Sequence, residues 1–156
     1  MSLFLRNLFF TILQPGIVAI LIPFWLSGKS VKSAFTPPFV GHHYIGLFIF
    51  AVGLIVVLIC VASFAIRGKG TLSPADPTKK LVISGLYRFS RNPMYIGVTM
   101  MLIGQSIFFQ SYAIAIYSLV IFIAFYSFIV FFEEPRLQDA FGSEYNEYVK
   151  KVPRWF

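Results

Sequence analysis

Four apolar runs, at 8–25, 44–66, 94–109 and 113–132, alternate along the chain with shorter stretches that hold nearly all of its charge. A helix needs roughly 20 residues at ~1.5 Å each to cross a hydrocarbon core of about 30 Å. Three runs reach or approach that length unaided. The third is lengthened at its start by Asn92-Pro93, an N-cap residue followed by one whose missing N–H would be unpaired anyway. The pattern predicts membrane helices over about 8–25, 44–66, 93–110 and 113–132. Only Gln110, Ser111 and Tyr112 separate the last two, which therefore form an antiparallel hairpin. Gly97 and Gly104, seven apart on one face, allow close helix packing or a gap, and packing is the favoured reading.

The connectors differ in kind. Residues 26–43 hold Gly28, Pro37, Pro38 and Gly41 and read as a structureless link. Residues 67–91 carry Gly68, Gly70, Pro74 and Pro77, the apolar Leu81-Val82-Ile83, a turn at Ser84-Gly85, and the basic aromatic segment Tyr87-Arg88-Phe89-Ser90-Arg91. After the fourth run comes Glu133-Glu134-Pro135, then a short helical segment ending near Gly142. A second segment follows with Tyr145, Tyr148, Val149 and Val152 at i, i+3, i+4 and i+7, one face of a helix that lies in the interface or folds back over the bundle. The expected architecture is an all-α membrane protein, one domain over 1–156, with about four transmembrane helices, a cytoplasmic loop, and C-terminal amphipathic helices closing a site.

Composition agrees: 58% of the 156 residues are hydrophobic and only 12% charged, which excludes an ordinary soluble surface. A signal peptide is the competing reading of residues 1–25, disfavoured by the length of the run, the Gln14-Pro15-Gly16 interruption and the lack of a small-residue cleavage site. Cationic loops stay on the cytoplasmic side. With the N-terminus inside, Arg6, the six cations from Arg67 to Arg91 and the four after the last run are all cytoplasmic, leaving Lys29 and Lys32 outside. Both termini and the charged layer are therefore expected in the cytoplasm. The net charge of +7 then reflects topology and anionic headgroups rather than nucleic acid. Cys60, alone in an apolar run, reads as a small buried hydrophobe, and His42 and His43 lie away from most of the charge. No metal site is expected.

Two carboxylates at the end of an apolar helix demand an explanation, because that pole already carries partial negative charge. Glu133 and Glu134 must face something positive or hydrogen-bond-donating, and Lys and Arg of the same layer could do this structurally. The start of the third helix offers the complement: exposed N–H groups behind Asn92, with Arg91 and Arg88, form an anion site. Tyr87, Tyr95, Tyr145 and Tyr148 belong to the same layer. A carboxylate, an ammonium, a ribose diol and a soft cation would suit this set, and S-adenosylmethionine carries all four, as one candidate among several.

The run Gly85-Leu86-Tyr87-Arg88-Phe89-Ser90-Arg91-Asn92-Pro93-Met94-Tyr95-Ile96-Gly97, followed by Glu133-Glu134-Pro135-Arg136-Leu137 and by Phe141-Gly142 with Tyr145 and Tyr148, resembles the isoprenylcysteine carboxyl methyltransferase and phospholipid methyltransferase superfamily of membrane enzymes. The resemblance covers about Gly68 to Val152. It implies S-adenosylmethionine contacts from Lys79, Lys80, Leu81 and Val82, from Tyr87, from Asn92, Pro93, Met94 and Tyr95, and from Glu133. Its phospholipid branch adds Gly68-Lys69-Gly70 with Glu133 and Glu134. Two positions depart from the carboxyl methyltransferase pattern. Asn92 stands where histidine is usual and cannot serve as a base near neutral pH, and Ile129 stands where a substrate-handling arginine is usual.

The sequence thus reads as a methyltransferase that uses S-adenosylmethionine to modify a lipophilic acceptor resident in the membrane: a lipid headgroup amine, a prenylated molecule or another small hydrophobic substrate. No residue is singled out as the catalytic group, and the oligomeric state is not encoded in any visible motif. The competing classes are a non-enzymatic lipid-binding or assembly protein and a nicotinamide-dependent reductase of a related membrane fold.

Overall fold

The computed structural model describes residues 16–28, 35, 38–63 and 81–155, and among these it is helical, with no strand. Helix α1 (Ile17–Ser27) opens with a π-helical turn at Ile17–Leu21. Helix α2 is Gly41–Ser63, a short 3₁₀ turn spans Gly85–Arg88, and α3 is Pro93–Phe108. Helix α4 (Tyr112–Phe128) runs through a second π-helical turn at Ile129–Glu133 directly into α5 (Glu134–Lys151). The break expected after the fourth run is therefore a widened turn and no interruption of the helix. The chain bends instead at Gly142, whose φ of 50° is open to a residue without a Cβ.

The two π turns share a cause. Each is followed, two residues after its end, by a proline, at Pro23 and Pro135. Proline has no N–H and its ring collides with the carbonyl four residues back, so a wider turn relieves the clash. It also leaves carbonyls without a helical donor, which inside a membrane must be satisfied by other means. Around Pro23 the donors come from the hairpin: Gln105 Nε2 donates to the Ala19 carbonyl at 2.6 Å and Tyr117 Oη to the Val18 carbonyl at 3.1 Å. These bonds fasten α1 to α3 and α4.

Helices α2 and α3 are antiparallel and in backbone contact. A Cβ built on Gly46 would lie 2.7 Å from the Gly104 carbonyl, and one on Gly53 would lie 2.6 Å from the Gly97 carbonyl. Gly97 and Gly104 thus serve packing, and Gly46 and Gly53, also seven apart, are their partners across the interface. The α3–α4 hairpin closes through Phe109–Ser111, with Gln110 at φ 47° and the Ser111 hydroxyl accepting from the Ile114 N–H at 3.4 Å.

Two helices, Gly41–Ser63 and the continuous Tyr112–Lys151, are long and apolar enough to cross a membrane, whereas Ile17–Ser27 and Pro93–Phe108 are apolar but shorter. The α2 and α4 faces turned away from α3 expose Leu47, Phe48, Ile55, Leu58, Ile116, Leu119 and Ile123, as a surface solvated by lipid should. Every Asp, Glu, Lys and Arg among the described residues falls within 88–91 or 133–154, and the antiparallel topology gathers both segments at one end of the bundle.

Candidate functional site

At that end the start of α3 meets the end of α4. Tyr95, on the first turn of α3, packs its ring against Phe125 at 4.8 Å between centroids and donates its hydroxyl to Glu133 Oε2 at 2.7 Å. Arg91, just before α3, donates from Nη1 to Glu134 Oε1 at 2.8 Å. The Asn-Pro opening and the Glu-Glu finish, 38 or more residues apart in the chain, thus converge. Arg136 adds a favourable charge near Glu133.

Glu134 has a second partner. Arg154 forms a two-bond fork onto it, Nε to Oε1 at 2.9 Å and Nη2 to Oε2 at 2.8 Å, and its guanidinium also sits 5.6 Å from the Tyr126 ring centroid. That fork holds the Arg154 guanidinium charged above even its usual range. Two cations around one carboxylate leave the Arg91–Glu134–Arg154 triad with a net positive charge. The Nε of Arg91 is buried and has no hydrogen-bond partner. An open cleft of about 330 Å³ lies against the triad, lined also by Val130, Gln138, Tyr145 and Val149.

The start of α3 is not the open anion site its sequence suggests. Asn92 and Pro93 are buried. Asn92 occupies the N-cap position, but its side chain makes no capping bond. Its Nδ2 instead donates to the Arg154 carbonyl at 3.1 Å, where the Ser90 hydroxyl also donates at 3.2 Å, while the Arg91 N–H donates to the Pro153 carbonyl at 3.0 Å. The segment after α5 is thereby fastened to Ser90, Arg91 and Asn92, just before α3. Arg88 stands apart from Arg91 and lines a second open cleft, of about 520 Å³, with Glu144, Glu147 and Lys151.

The remaining expected residues form the floor beneath this layer. Val82 and Tyr87 are buried with Cys60, and Met94 packs against them. Cys60 is fully buried in this cluster, the small hydrophobe its sequence context suggests. Leu81 packs with Leu137 and Phe141 onto Tyr145, Tyr148 and Val152, the buried stripe expected of α5, whereas Val149 on the same stripe is exposed and borders the cleft. Tyr148 Oη donates to the Tyr87 carbonyl at 2.7 Å and locks α5 onto the 3₁₀ turn. Burial drives the phenols of Tyr87, Tyr145 and Tyr148 above the ordinary tyrosine range; a hydrogen bond from Arg91 opposes the shift at Tyr145, and the Arg91 charge opposes it at Tyr148. Lys79, Lys80 and the Gly68-Lys69-Gly70 element lie outside the described residues.

Arg154 and Tyr126 are the participants that sequence reasoning missed. Pro153-Arg154-Trp155 carries no motif, and the partners of Arg154 stand 20 to 64 residues away. Ile129, at the position where an arginine would handle a carboxylate substrate, is fully buried in the apolar core.

Comparison with known proteins gives this constellation a context. The family model for phospholipid methyltransferase matches residues 42–144, from α2 through the hairpin and into α5. No curated protein matches the chain. The match spans most of the described chain and includes both converging motifs, and the family's activity is methyl transfer to membrane lipid. With its long apolar helices, and with the charge of the described residues gathered at one end, the chain is an integral membrane protein that belongs to the phospholipid methyltransferase family.

Proposed function

We propose that the protein transfers a methyl group from S-adenosylmethionine to the amine headgroup of a membrane lipid, at a site on the cytoplasmic ends of four membrane-crossing helices within one domain. The observation that carries this reading is the closure of the two motif ends, Tyr95 onto Glu133 and Arg91 onto Glu134, in a chain of this family.

The residues present fit the cofactor. The net positive triad, with its unpaired Arg91 Nε, suits a carboxylate. Glu133 suits an ammonium or a ribose diol, Glu134 orients the two arginines, and the faces of Tyr95 and Tyr145 suit a sulfonium cation. Asn92, Pro93 and Met94 set the start of α3 beneath these groups, and Val82 and Tyr87 form the wall behind it. Lys79, Lys80 and Leu81 are assigned to the cofactor from the family resemblance alone. When bound, the cofactor supplies an electrophilic methyl group. The chain's own contribution is to bind, orient and exclude water, because a site built to hold reactants in line needs no metal. Ile129, fully buried, supplies no cation where the carboxyl methyltransferases have a substrate-handling arginine, which weighs against a carboxylate acceptor and favours an amine. Exposed Phe128, Phe131 and Phe132, next to Glu133, offer lipid tails a lateral approach.

Equilibrium binding of radiolabelled S-adenosylmethionine to detergent-purified protein tests the reading. Wild type binds saturably, while Glu133→Ala and Tyr95→Ala abolish binding and keep the helical circular-dichroism spectrum. Unchanged affinity in both variants removes the assignment. Mass spectrometry of lipids from cells with and without the gene then identifies the acceptor by one added methyl group.

A further inference from the structure

The segment after α5 is held to the site at several points although it has no regular structure. Val152 enters the apolar cluster of Tyr145 and Tyr148, the Pro153 and Arg154 carbonyls accept from Arg91, Ser90 and Asn92, and the Trp155 ring packs 5.3 Å from Phe122. The only charged side chain this segment contributes is Arg154, and it is spent on Glu134.

We infer that Arg154 is the positioning residue of the cofactor site, fixing the plane of the Glu134 carboxylate so that Glu134 and Arg91 present a preformed surface. This rests on the proposed use of S-adenosylmethionine. The two arginines on Glu134 are not equivalent. Arg91 reaches Glu134 Oε1 through one nitrogen and spends a longer contact, 3.4 Å, on Tyr145 Oη. Arg154 bonds both oxygens through two nitrogens of one planar group. Only a fork of this kind resists rotation of the carboxylate about its terminal bond. With side-chain exposures of 20% for Glu134 and 30% for Arg154, the pair is shielded enough to be directional and open enough to border the cleft.

Charge alone makes a different prediction for lysine. The positive charge of the triad attracts the cofactor's carboxylate, so Arg154→Ala weakens binding whether Arg154 acts through its field or through its fork. Positioning additionally requires lysine to be a poor substitute, because lysine keeps the charge and lacks the fork.

The test is the affinity of wild type, Arg154→Ala and Arg154→Lys for radiolabelled S-adenosylmethionine in detergent, with melting temperatures recorded alongside and Arg154→Ala repeated with added ethylguanidinium. The expected result is affinity about tenfold weaker in both variants, with recovery in ethylguanidinium that leaves the melting temperature of Arg154→Ala unchanged. Should Arg154→Ala prove unfolded, Arg154→Lys, which keeps the charge and most of the stem, decides the matter. Wild-type affinity in either variant overturns the positioning role while the proposed function stands. Absence of binding in wild type overturns the proposed function, and this inference with it.

Discussion

Replacing Gly53 by alanine tests the framework on which the site stands. The added Cβ would lie 2.6 Å from the Gly97 carbonyl oxygen, 2.8 Å from the Met101 nitrogen and 2.9 Å from the Met100 Cβ, where ordinary contact begins at 3.4 Å. Two of those neighbours are backbone and cannot swing aside. Helices α2 and α3 must separate locally by about 0.8 Å, the difference between 2.6 and 3.4 Å. A gap of that size forfeits a quarter to a half of each dispersion contact it opens, and overpacking of this kind costs about 1–3 kcal/mol. Alanine returns roughly 0.5–1 kcal/mol through its better helix propensity. The net loss should therefore fall within about 0–2.5 kcal/mol, centred on ~1 kcal/mol, read from unfolding by added SDS in mixed micelles. Gly41→Ala is the control, because a Cβ there meets nothing within 4 Å. Equal stability of the two variants would refute the backbone-contact argument for this interface.

Gln105→Leu removes the donor to the Ala19 carbonyl and should cost about 0.6–1.7 kcal/mol in the same SDS titration, with α1 becoming more accessible to protease; an unchanged midpoint would mean that this carbonyl finds another donor. Burial raises the phenols of Tyr87, Tyr145 and Tyr148 above the ordinary value of 10.0, so the folded state favours their neutral forms. Because the folded values exceed the unfolded ones, this stability is fully present below pH 10 and is lost as pH rises above it toward the folded values. Melting temperature against pH in detergent should fall on the alkaline side, less steeply in Tyr148→Phe, and an identical slope in the variant would contradict the burial argument.

The sequence by itself determined the helical membrane class, the hairpin turn, the bend at Gly142, the burial of Tyr145, Tyr148 and Val152, and the packing use of Gly97 and Gly104. Each follows from local pattern, from apolar runs with helical spacing and from residues with special backbone freedom. Helix ends were less legible: α4 continues through Glu133-Glu134-Pro135 because a π turn accommodates the proline, and neither the Pro23 nor the Pro135 widening is marked in the sequence except by the proline. Only the tertiary structure decided which partner each polar group takes. Asn92 reads as a cap yet donates to Arg154, and Glu134 is ringed by two arginines while Glu133 takes the Tyr95 hydroxyl. Such pairings depend on where antiparallel helices bring segments that are tens of residues apart. Local periodicity carries no record of that distance, and a lone arginine after the last helix gives no sign of the carboxylate it will meet.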